Sequence, residues 1–585
     1  MHDSLDNRAG ERSELAKLEL VQRLRQTVGK RHVLTGRAAV RRYATGYRSG
    51  AGDCLAVIRP GTLLEMWRAL QLCVAANVAI IPQAANTGLT GGSTPDSGYD
   101  RDVVVLNTLR IGGIRSLRGG DQVVCLAGAT LSRLERFLRP LRREPHSVIG
   151  SSCIGASVIG GVCNNSGGAL VRRGPAYTEL ALYAQLDEHG QLKLVNHLGI
   201  DLGDAPEEIL ERLDNPQFQL DARITTSERR ASDNEYERHV RDVHAATPAR
   251  FNADPRRLHE ASGCAGKLVV FAVRLDTFPA ETETVTFYLG TNDPAALASL
   301  RRAILTNSPS LPVAAEYMHR DAFMLAERYG KDTFFAIRLL GADRLPLLYR
   351  VKSAVDDLAA RLPFAVNNVS DRLLQAVGRI LPAHLPRRLR RMRDQYEHHL
   401  LLKVAGDSIA YARNLLSQTW AAAGDFLECS PDESSKAFLH RFVTAGAGIR
   451  YRAVHGNTIE DIVALDVALP RNESEWVETL PQELEQQVVA KLYYGHFFCH
   501  VFHQDYLVRK GADPLAFEHA MWAQLDARRA EYPAEHNVGH LYRAKPSLER
   551  HYRTLDPVNV FNPGVGQLSK LKHWGSAYPE LKEQT

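Results

Sequence analysis

The sequence lacks the features that mark membrane-spanning and disulfide-stabilised proteins. No window approaches the ~18 uncharged apolar residues of a transmembrane helix, and residues 1–8 contain no apolar core of the kind found in signal peptides. The eight cysteines form neither a Cys-x-x-Cys pair nor a dense framework. We therefore expect a protein that does not cross a membrane and that works in a reducing, cytoplasmic compartment.

A large excess of charge of either sign is also missing. The 72 lysines and arginines against 67 aspartates and glutamates leave a net charge of +5 on 585 residues, which is too little to indicate nucleic acid as the partner. What is present is an ordinary globular composition, with 44% hydrophobic residues. Because single hydrophobic cores stop growing near ~250–300 residues, a chain of this length should form more than one domain.

Two loops rich in glycine and small polar residues stand out in the first half of the chain, which otherwise alternates apolar strands with amphipathic helices. They are residues 82–94, directly after the apolar run 78–81, and residues 149–168. Amides without bulky side chains can lie against a pyrophosphate. One such loop is equally well explained as a surface turn, but two within one α/β unit favour a phosphate-bearing ligand. Neither has the glycine spacing of a Rossmann or P-loop motif.

The order P-x-x-x-N-T-G-L-T-G-G-S in the first loop, and G-S-x-x-I-G-x-x-x-x-G-G-x-x-x-N-x-x-G in the second, resembles the FAD-binding domain of the vanillyl-alcohol-oxidase (PCMH-type) flavoproteins. The resemblance implies an α+β fold, in which a two-subdomain FAD-binding domain precedes an α/β substrate (cap) domain with an inserted basic, helical membrane-docking segment. The implied bounds are 1–277 for the FAD-binding domain, 278–343 and 425–585 for the two parts of the cap domain, and 344–424 for the docking segment.

The same resemblance implies which residues contact FAD. We expect these contacts at Ala84, Ala85, Asn86, Thr87, Gly88, Gly92, Ser93, Gly150, Ser151, Ser157, Gly160, Gly167 and Val269. The first loop contains no histidine or cysteine that could bond to the flavin, so the cofactor should be held non-covalently.

Further segments, at 146–161, 173–179, 196–203, 316–321 and 493–506, resemble the bacterial quinone-dependent D-lactate dehydrogenases, a likeness that extends from about residue 35 to about residue 570. It implies FAD-dependent oxidation of D-lactate to pyruvate, with the hydride passing to flavin N5 and the electrons to a membrane quinone of the respiratory chain. It also implies a peripheral protein on the cytoplasmic face of the bacterial inner membrane.

Residues 344–403 carry arginines and lysines between apolar residues, and 384–393 contain five arginines in ten positions. A solvated helix face is the ordinary explanation of such a run. Here the cations alternate with leucines and prolines, which favours an interfacial segment whose basic side faces anionic lipid. Because aromatic residues are sparse in this stretch, we predict docking to an anionic membrane surface and no binding of nucleic acid.

Histidines and a glutamate near the C-terminus are candidates for general-base or metal chemistry. His496 and His503, with Glu535 and His536, resemble the H-x(6)-H and S-E-H-G-x-G motifs of FAD-dependent 2-hydroxyacid dehydrogenases. That resemblance implies a divalent metal on His496, His503 and Glu535, and His536 as acceptor of the hydroxyl proton. Two departures, Val501 for a polar residue and Asn537 for a glycine, weaken the prediction of a metal.

A 2-hydroxy acid also needs a cation for its carboxylate, and the planar fork of arginine suits this role. Arg441 and Arg450 are the candidates in the half that should cover the flavin, although an arginine is more often an ordinary surface residue than a substrate ligand.

Two other functions remain open. One is a soluble, metal-assisted D-2-hydroxyglutarate or glycolate dehydrogenase with another acceptor, and the other is a membrane-surface binding protein with vestigial flavin loops.

Overall fold

The computed structural model describes residues 2–146, 155–341, 351–352, 355 and 368–575. Within these ranges the strands form four sheets, of four, five, two and seven strands. The three smaller sheets all lie before residue 280, and the seven-stranded sheet begins at Thr284. Helices accompany both halves, so the fold is of the mixed α+β kind that the sequence predicts.

The first sheet has the strand order β1-β2-β4-β3, in which β2, β4 and β3 run parallel. Thr62 caps α3 by accepting a hydrogen bond from the amide of Glu65, which begins the helix that returns the chain to β3. The bounds are α1 His2–Val28, β1 Val33–Leu34, α2 Arg37–Ala44, β2 Ala56–Ile58, α3 Leu63–Ala75, β3 Ala79–Gln83 and β4 Val103–Asn107. The first glycine-rich loop therefore leaves the end of a buried parallel strand, as the sequence predicts.

The second sheet is antiparallel, with the order β5-β6-β10-β8-β9, and a short pair, β7 with β11, lies beside it. Its central strand β10 is buried on both faces and begins at Val269. The bounds are β5 Ile114–Leu117, β6 Gln122–Leu126, α4 Leu131–Leu138, β7 Arg143–Glu144, α5 Val158–Cys163, β8 Ala181–Leu186, β9 Leu192–Asn196, α6 Pro206–Asp214, α7 Tyr236–Arg241, β10 Val269–Asp276 and β11 Phe278–Pro279.

The third unit is an antiparallel sheet with the order β15-β12-β14-β13-β17-β18-β16, which brings together strands from residues 284 to 509. Its elements, with the helices around it, are β12 Thr284–Thr291, α8 Pro294–Asn307, β13 Ala314–His319, α9 Arg320–Tyr329, α10 Lys331–Leu340, α11 Val369–Ile380, α12 Arg387–Gln395, β14 His398–Ala405, α13 Ser408–Thr419, β15 Gly424–Glu428, α14 Pro431–Val454, β16 Ile459–Ala468, α15 Gln482–Glu485, β17 Val488–His496, β18 Val501–Arg509, α16 Pro514–Ala527 and α17 Pro546–Leu555.

Strand β14 shows that the predicted range of the basic docking segment, 344–424, is too long. The sequence-based range 344–424 includes this strand, which pairs with both β12 and β13 inside the sheet. Lys403 therefore belongs to the sheet and not to a docking helix. Residues 342–350, 353–354 and 356–367 of that range lie outside the described residues.

In helix α12 the apolar residues face inward, contrary to the expectation that leucines among these arginines would meet lipid. Leu389 and Met392 are buried in the core. Arg388 pairs with Glu433 at 3.2 Å, and Arg393 pairs with Glu327. Within the described ranges, none of the helices combines the length and apolar character that a bilayer crossing demands.

The C-terminal segment returns to the first sheet. The amide of Ile80 in β3 donates to the carbonyl of Val560 at 2.9 Å, and the amide of Asn562 donates to the carbonyl of Ile80 at 2.8 Å. The segment therefore makes an isolated parallel bridge to β3, between Phe561 and Ile80.

Candidate active site

One large cavity, of about 860 Å³, lies where the glycine-rich loops meet the seven-stranded sheet. Most of the residues predicted to contact FAD line it, namely Ala84, Ala85, Asn86, Thr87, Gly88, Gly92, Ser93, Ser157, Gly160 and Val269. Gly150 and Ser151 lie outside the described residues. Gly167 differs from the prediction, because its amide bonds to Glu535 instead of facing the cavity.

The first loop is held in shape by its own polar side chains. Asn86 adopts a positive φ of 54°, donates to the carbonyl of Thr45 at 2.9 Å and accepts from the hydroxyl of Ser93 at 3.0 Å. At Gly88 an added Cβ would meet nothing within 4 Å, so this stretch of backbone is open to the cavity. A pre-shaped, small-residue loop with accessible backbone fits the pyrophosphate of FAD.

The same loop touches the segment that carries His536. A Cβ at Gly92 would lie 2.2 Å from the carbonyl oxygen of Val538, so only glycine permits this approach. The Thr90 hydroxyl donates to the carbonyl of Asn537 at 3.1 Å, and the amide of His540 donates to the carbonyl of Thr90 at 2.9 Å. The cofactor loop and the predicted catalytic segment therefore form one wall.

Glu535 is committed to partners within the protein. Its carboxylate forms an ion pair with Arg250 and accepts from the amides of Gly167 at 2.9 Å and Gly168 at 3.0 Å. Arg250 is itself buried and donates to the carbonyls of Gly168 and Leu170. Burial would raise the pKa of Glu535, but the charges of Arg250, His496 and His536 together hold that pKa below its usual value.

The predicted metal site does not fit this arrangement. A divalent ion on Glu535 would have to displace the guanidinium of Arg250, and His496 and His503 each turn a ring nitrogen toward a carboxylate elsewhere in the protein. In the part of the chain that the structure describes, no group of three or more His, Cys, Asp or Glu side chains is arranged to hold a metal ion. The cation facing Glu535 is an arginine.

His496, Glu316 and Arg441 form a buried group on the cavity wall. Nδ1 of His496 lies 2.6 Å from one oxygen of Glu316, and Arg441 reaches the other oxygen at 3.0 Å. Burial would raise the pKa of Glu316, but His496 and Arg441 together hold it below its usual value. An ionised carboxylate only accepts hydrogen bonds, so Nδ1 of His496 carries the proton of this contact.

Asp466 organises the second group. It lies 3.3 Å from Nδ1 of His503 and accepts from the amide of Glu535 at 2.9 Å and from the side-chain amide of Asn537 at 3.3 Å. The ring of His536 stacks on that of His503, with centroids 6.4 Å apart. His536 has a φ of 40°, a strained conformation of the kind concentrated at functional sites. Asp466 thus holds the backbone amide before His536 and the side chain of the residue after it.

Arg450 does not line the cavity with Arg441. Its guanidinium bonds to Asp371 of α11 at 2.7 Å and to Asp332 of α10 at 3.0 Å. It joins three helices, and the structure does not place it near the other candidate site residues.

Three buried residues that complete the site are absent from the sequence-based candidates. Arg250, Glu316 and Asp466 come from a loop and two strands that are far apart in the sequence. For Glu316 and Asp466 the only signal is a charged residue within a largely apolar strand, and for Arg250 there is none; neither case identifies a partner. Glu316 does lie in one of the segments that carry the family resemblance.

The fold and the cavity define a class of protein. The family model for an FAD binding domain matches residues 54–190. Among solved structures, p-cresol methylhydroxylase with substrate bound aligns with a TM-score of 0.56 at 10% identity, covering 95% of this chain and 97% of that chain. A likeness at this identity concerns the fold alone. The chain is a flavoprotein with the PCMH-type FAD-binding fold.

The relatives define the family within that class. The chain is 56% identical to the quinone-dependent D-lactate dehydrogenase of Escherichia coli (strain K12), over 94% of this chain and 97% of that protein. It is 54% identical to the enzyme of the same name from Haemophilus influenzae, over 95% and 99%. The model described as D-lactate dehydrogenase, membrane binding, matches residues 286–574. The chain belongs to the quinone-dependent D-lactate dehydrogenase family, which confirms the resemblance seen in its sequence.

Proposed function

We propose that the chain oxidises D-lactate to pyruvate with FAD and passes the two electrons to a membrane quinone. The names of its relatives support this reaction. The observation that carries it is the common cavity, in which the FAD loop faces Arg441, His503 and His536. A carboxylate-binding cation and a proton acceptor beside a flavin are the groups that oxidation of a 2-hydroxy acid requires.

Arg441 binds the carboxylate of lactate. One of its terminal nitrogens is held by Glu316, and its guanidinium lies over the ring of Tyr494 at 4.5 Å, so the group is fixed before substrate arrives. Its Nε is buried and has no partner among the described residues. A buried donor without a partner costs stability, and a bound carboxylate would satisfy it.

His536 accepts the hydroxyl proton of lactate. Glu535 and Asn537 are both tied to Asp466, so the residue between them has little freedom to move. The ring of His503 stacks on that of His536 and is itself paired with Asp466, so it offers a second nitrogen that can accept the proton. Positioned general bases typically contribute ~10²–10⁴-fold to such a step.

The residues of the two loops that line the cavity would hold FAD, and the backbone of residues 86–93 would bind its pyrophosphate. When bound, FAD supplies the acceptor for the hydride that leaves C2 of lactate. Val269 lies at the start of the central strand β10, where its backbone can face the flavin ring.

The direct test is anaerobic titration of the purified protein. D-lactate should bleach the flavin absorbance in a single equivalent, and L-lactate should leave it unchanged. A protein without a flavin spectrum would contradict the cofactor assignment. Bleaching by D-2-hydroxyglutarate or glycolate, but not by D-lactate, would favour the soluble alternative, which the identity to D-lactate dehydrogenases and the Arg250–Glu535 pair do not support.

The protein docks on the membrane through α11 and α10. Leu373, Val377 and Ile380 follow one another at helical spacing on α11, and all are exposed, Ile380 to 86%. Arg372 and Arg379 flank this stripe. Leu339 and Leu340, at the end of α10, are exposed as well. An apolar stripe with basic neighbours is the pattern of a helix that lies in a lipid interface.

Anionic lipid on the cytoplasmic face of the bacterial inner membrane is the partner that suits this surface. Each basic residue near such a surface contributes ~1 kcal/mol, so several arginines with a few buried leucines hold a protein reversibly. The membrane-binding description of the matching family model supports peripheral attachment. Protease treatment of inside-out and right-side-out vesicles tests the face, and digestion only in right-side-out vesicles would contradict it.

A further inference from the structure

One face of helix α14 lines the cavity with apolar side chains that neither FAD nor lactate needs. Phe438, Phe442 and Ile449 follow one another at helical spacing, and Arg452 lies one turn beyond. Ile449 is 44% exposed, and Phe438 and Phe442 are half-buried at the edges of two core clusters. Single apolar residues at a surface need no explanation, but a row of them along one cavity wall does.

Other parts of the chain also contribute exposed apolar residues to the lining of this cavity. Leu515 of α16, Leu541 and Tyr47 line the cavity, and each is exposed, Leu515 to 59%. These residues come from three separate parts of the chain. With the row on α14 they form a collar that we call the apolar rim, which consists of Tyr47, Phe438, Phe442, Ile449, Leu515 and Leu541.

Helix α14 connects the apolar rim with the helices of the proposed docking surface. Arg450, on another side of α14, holds α10 through Asp332 and α11 through Asp371. Thr333 of α10 lines the cavity as well. The helix that carries half of the rim is thus clamped to the two helices that carry the exposed leucines. An apolar molecule that leaves the bilayer here would meet the rim first.

We propose that the apolar rim binds the ring and the first part of the tail of the quinone, at the membrane side of the cavity. This assignment rests on the proposed function. D-lactate loses two electrons and two protons to become pyruvate, and the quinone takes up two of each to leave as the quinol. The aromatic side chains Phe438 and Phe442 suit a flat quinone ring, and Arg452 can donate to a quinone oxygen.

The test compares two half-reactions in the FAD-loaded protein. In Phe442→Ala and Leu515→Ala, the KM for decylubiquinone in vesicle-free buffer should rise about tenfold, and calorimetric binding of decylubiquinone to the oxidised protein should weaken by the same factor. Ile449→Gln changes a half-exposed side chain and should act in the same direction without disturbing the core. Leu15→Ala, on the exposed side of α1, serves as the matched control and should change neither.

Anaerobic bleaching by D-lactate, measured in the same variants, separates the possible outcomes. Loss of bleaching in parallel with quinone turnover would overturn the rim assignment, as would an unchanged KM and affinity for decylubiquinone. Weaker vesicle binding with normal decylubiquinone kinetics would identify the rim as a lipid contact instead. If D-lactate fails to bleach the unaltered protein, the proposed function itself is wrong, which is a different result from failure of the rim.

Discussion

Helix α14 carries an arginine on each of two opposite sides, and the two arginines have different roles. Arg441 and Arg450 are nine residues apart, which is two and a half turns, so they must lie on opposite sides of one helix. Arg441 lines the cavity and pairs with one carboxylate, Glu316, whereas Arg450 lies away from the cavity and pairs with two, Asp332 and Asp371. We therefore assign the substrate carboxylate to the arginine that faces the cavity and has the smaller number of carboxylate partners.

The largest effect should come from the cavity side. His536→Ala should retain FAD and lower the rate of anaerobic flavin reduction by D-lactate about 10³-fold, because the proton then has no positioned acceptor. Stopped-flow absorbance measures this rate. His519→Ala, an exposed histidine on α16, is the control and should reduce at the normal rate. Normal reduction in His536→Ala would remove this residue from the mechanism.

The two arginines test the comparison directly. Arg441→Met should lower kcat/KM for D-lactate by roughly 10²–10³, the usual cost of removing one partner of a buried charge pair. Arg450→Met should change flavin reduction by less than about threefold and should lower the melting temperature instead, because Asp332 and Asp371 lose their shared cation. If Arg450→Met lost activity and Arg441→Met lost only stability, the roles that we assign to the two arginines would have to be exchanged.

The outer helices give a smaller contrast. Replacing both Leu373 and Ile380 by Ser should weaken binding to phosphatidylglycerol-containing vesicles about tenfold, since two apolar side chains leave the lipid interface. Sedimentation with vesicles measures this, and turnover with a soluble dye should be unaffected. Leu571→Ser, another exposed leucine, should not change sedimentation. If the double variant sediments normally, the docking surface lies elsewhere.

The smallest effect concerns acid stability. Burial opposes ionisation of Glu535, yet Arg250, together with His496 and His536, holds its pKa below the ordinary 4.5. A depressed folded-state pKa contributes stability that is complete above the unfolded pKa and is lost as the pH falls through the folded pKa. The melting temperature should therefore drop below about pH 4.5, and more steeply in the unaltered protein than in Glu535→Gln. Equal slopes in thermal scans would contradict this.

The sequence predicts the local parts of the site well. The glycines and short polar side chains of residues 82–94 favour the conformation of this loop locally, so the motif can be identified from the sequence without knowing what packs around it. Arg250, Glu316 and Asp466 cannot be found in this way, because each acts through a partner from a distant segment. The apolar residues of α12 mislead for the same reason, since their burial depends on the sheet beneath them.

The spacing of Arg441 and Arg450 by itself predicts that only one of them faces the substrate. Once a helix is assumed over 431–454, its period places the two arginines on opposite sides, and only one of them can then face a given cavity. Which of them does so depends on Asp332 and Asp371, and those carboxylates reach Arg450 only after α10 and α11 have packed.

The return of residues 559–562 to β3 has a consequence for how the protein is made. A ribosome releases the first sheet hundreds of residues before the segment that completes it, so the cofactor-binding half must wait with an unpaired edge. We expect that a fragment ending near residue 277 will not behave as an independent folding unit, because it lacks the segment that bonds to Ile80.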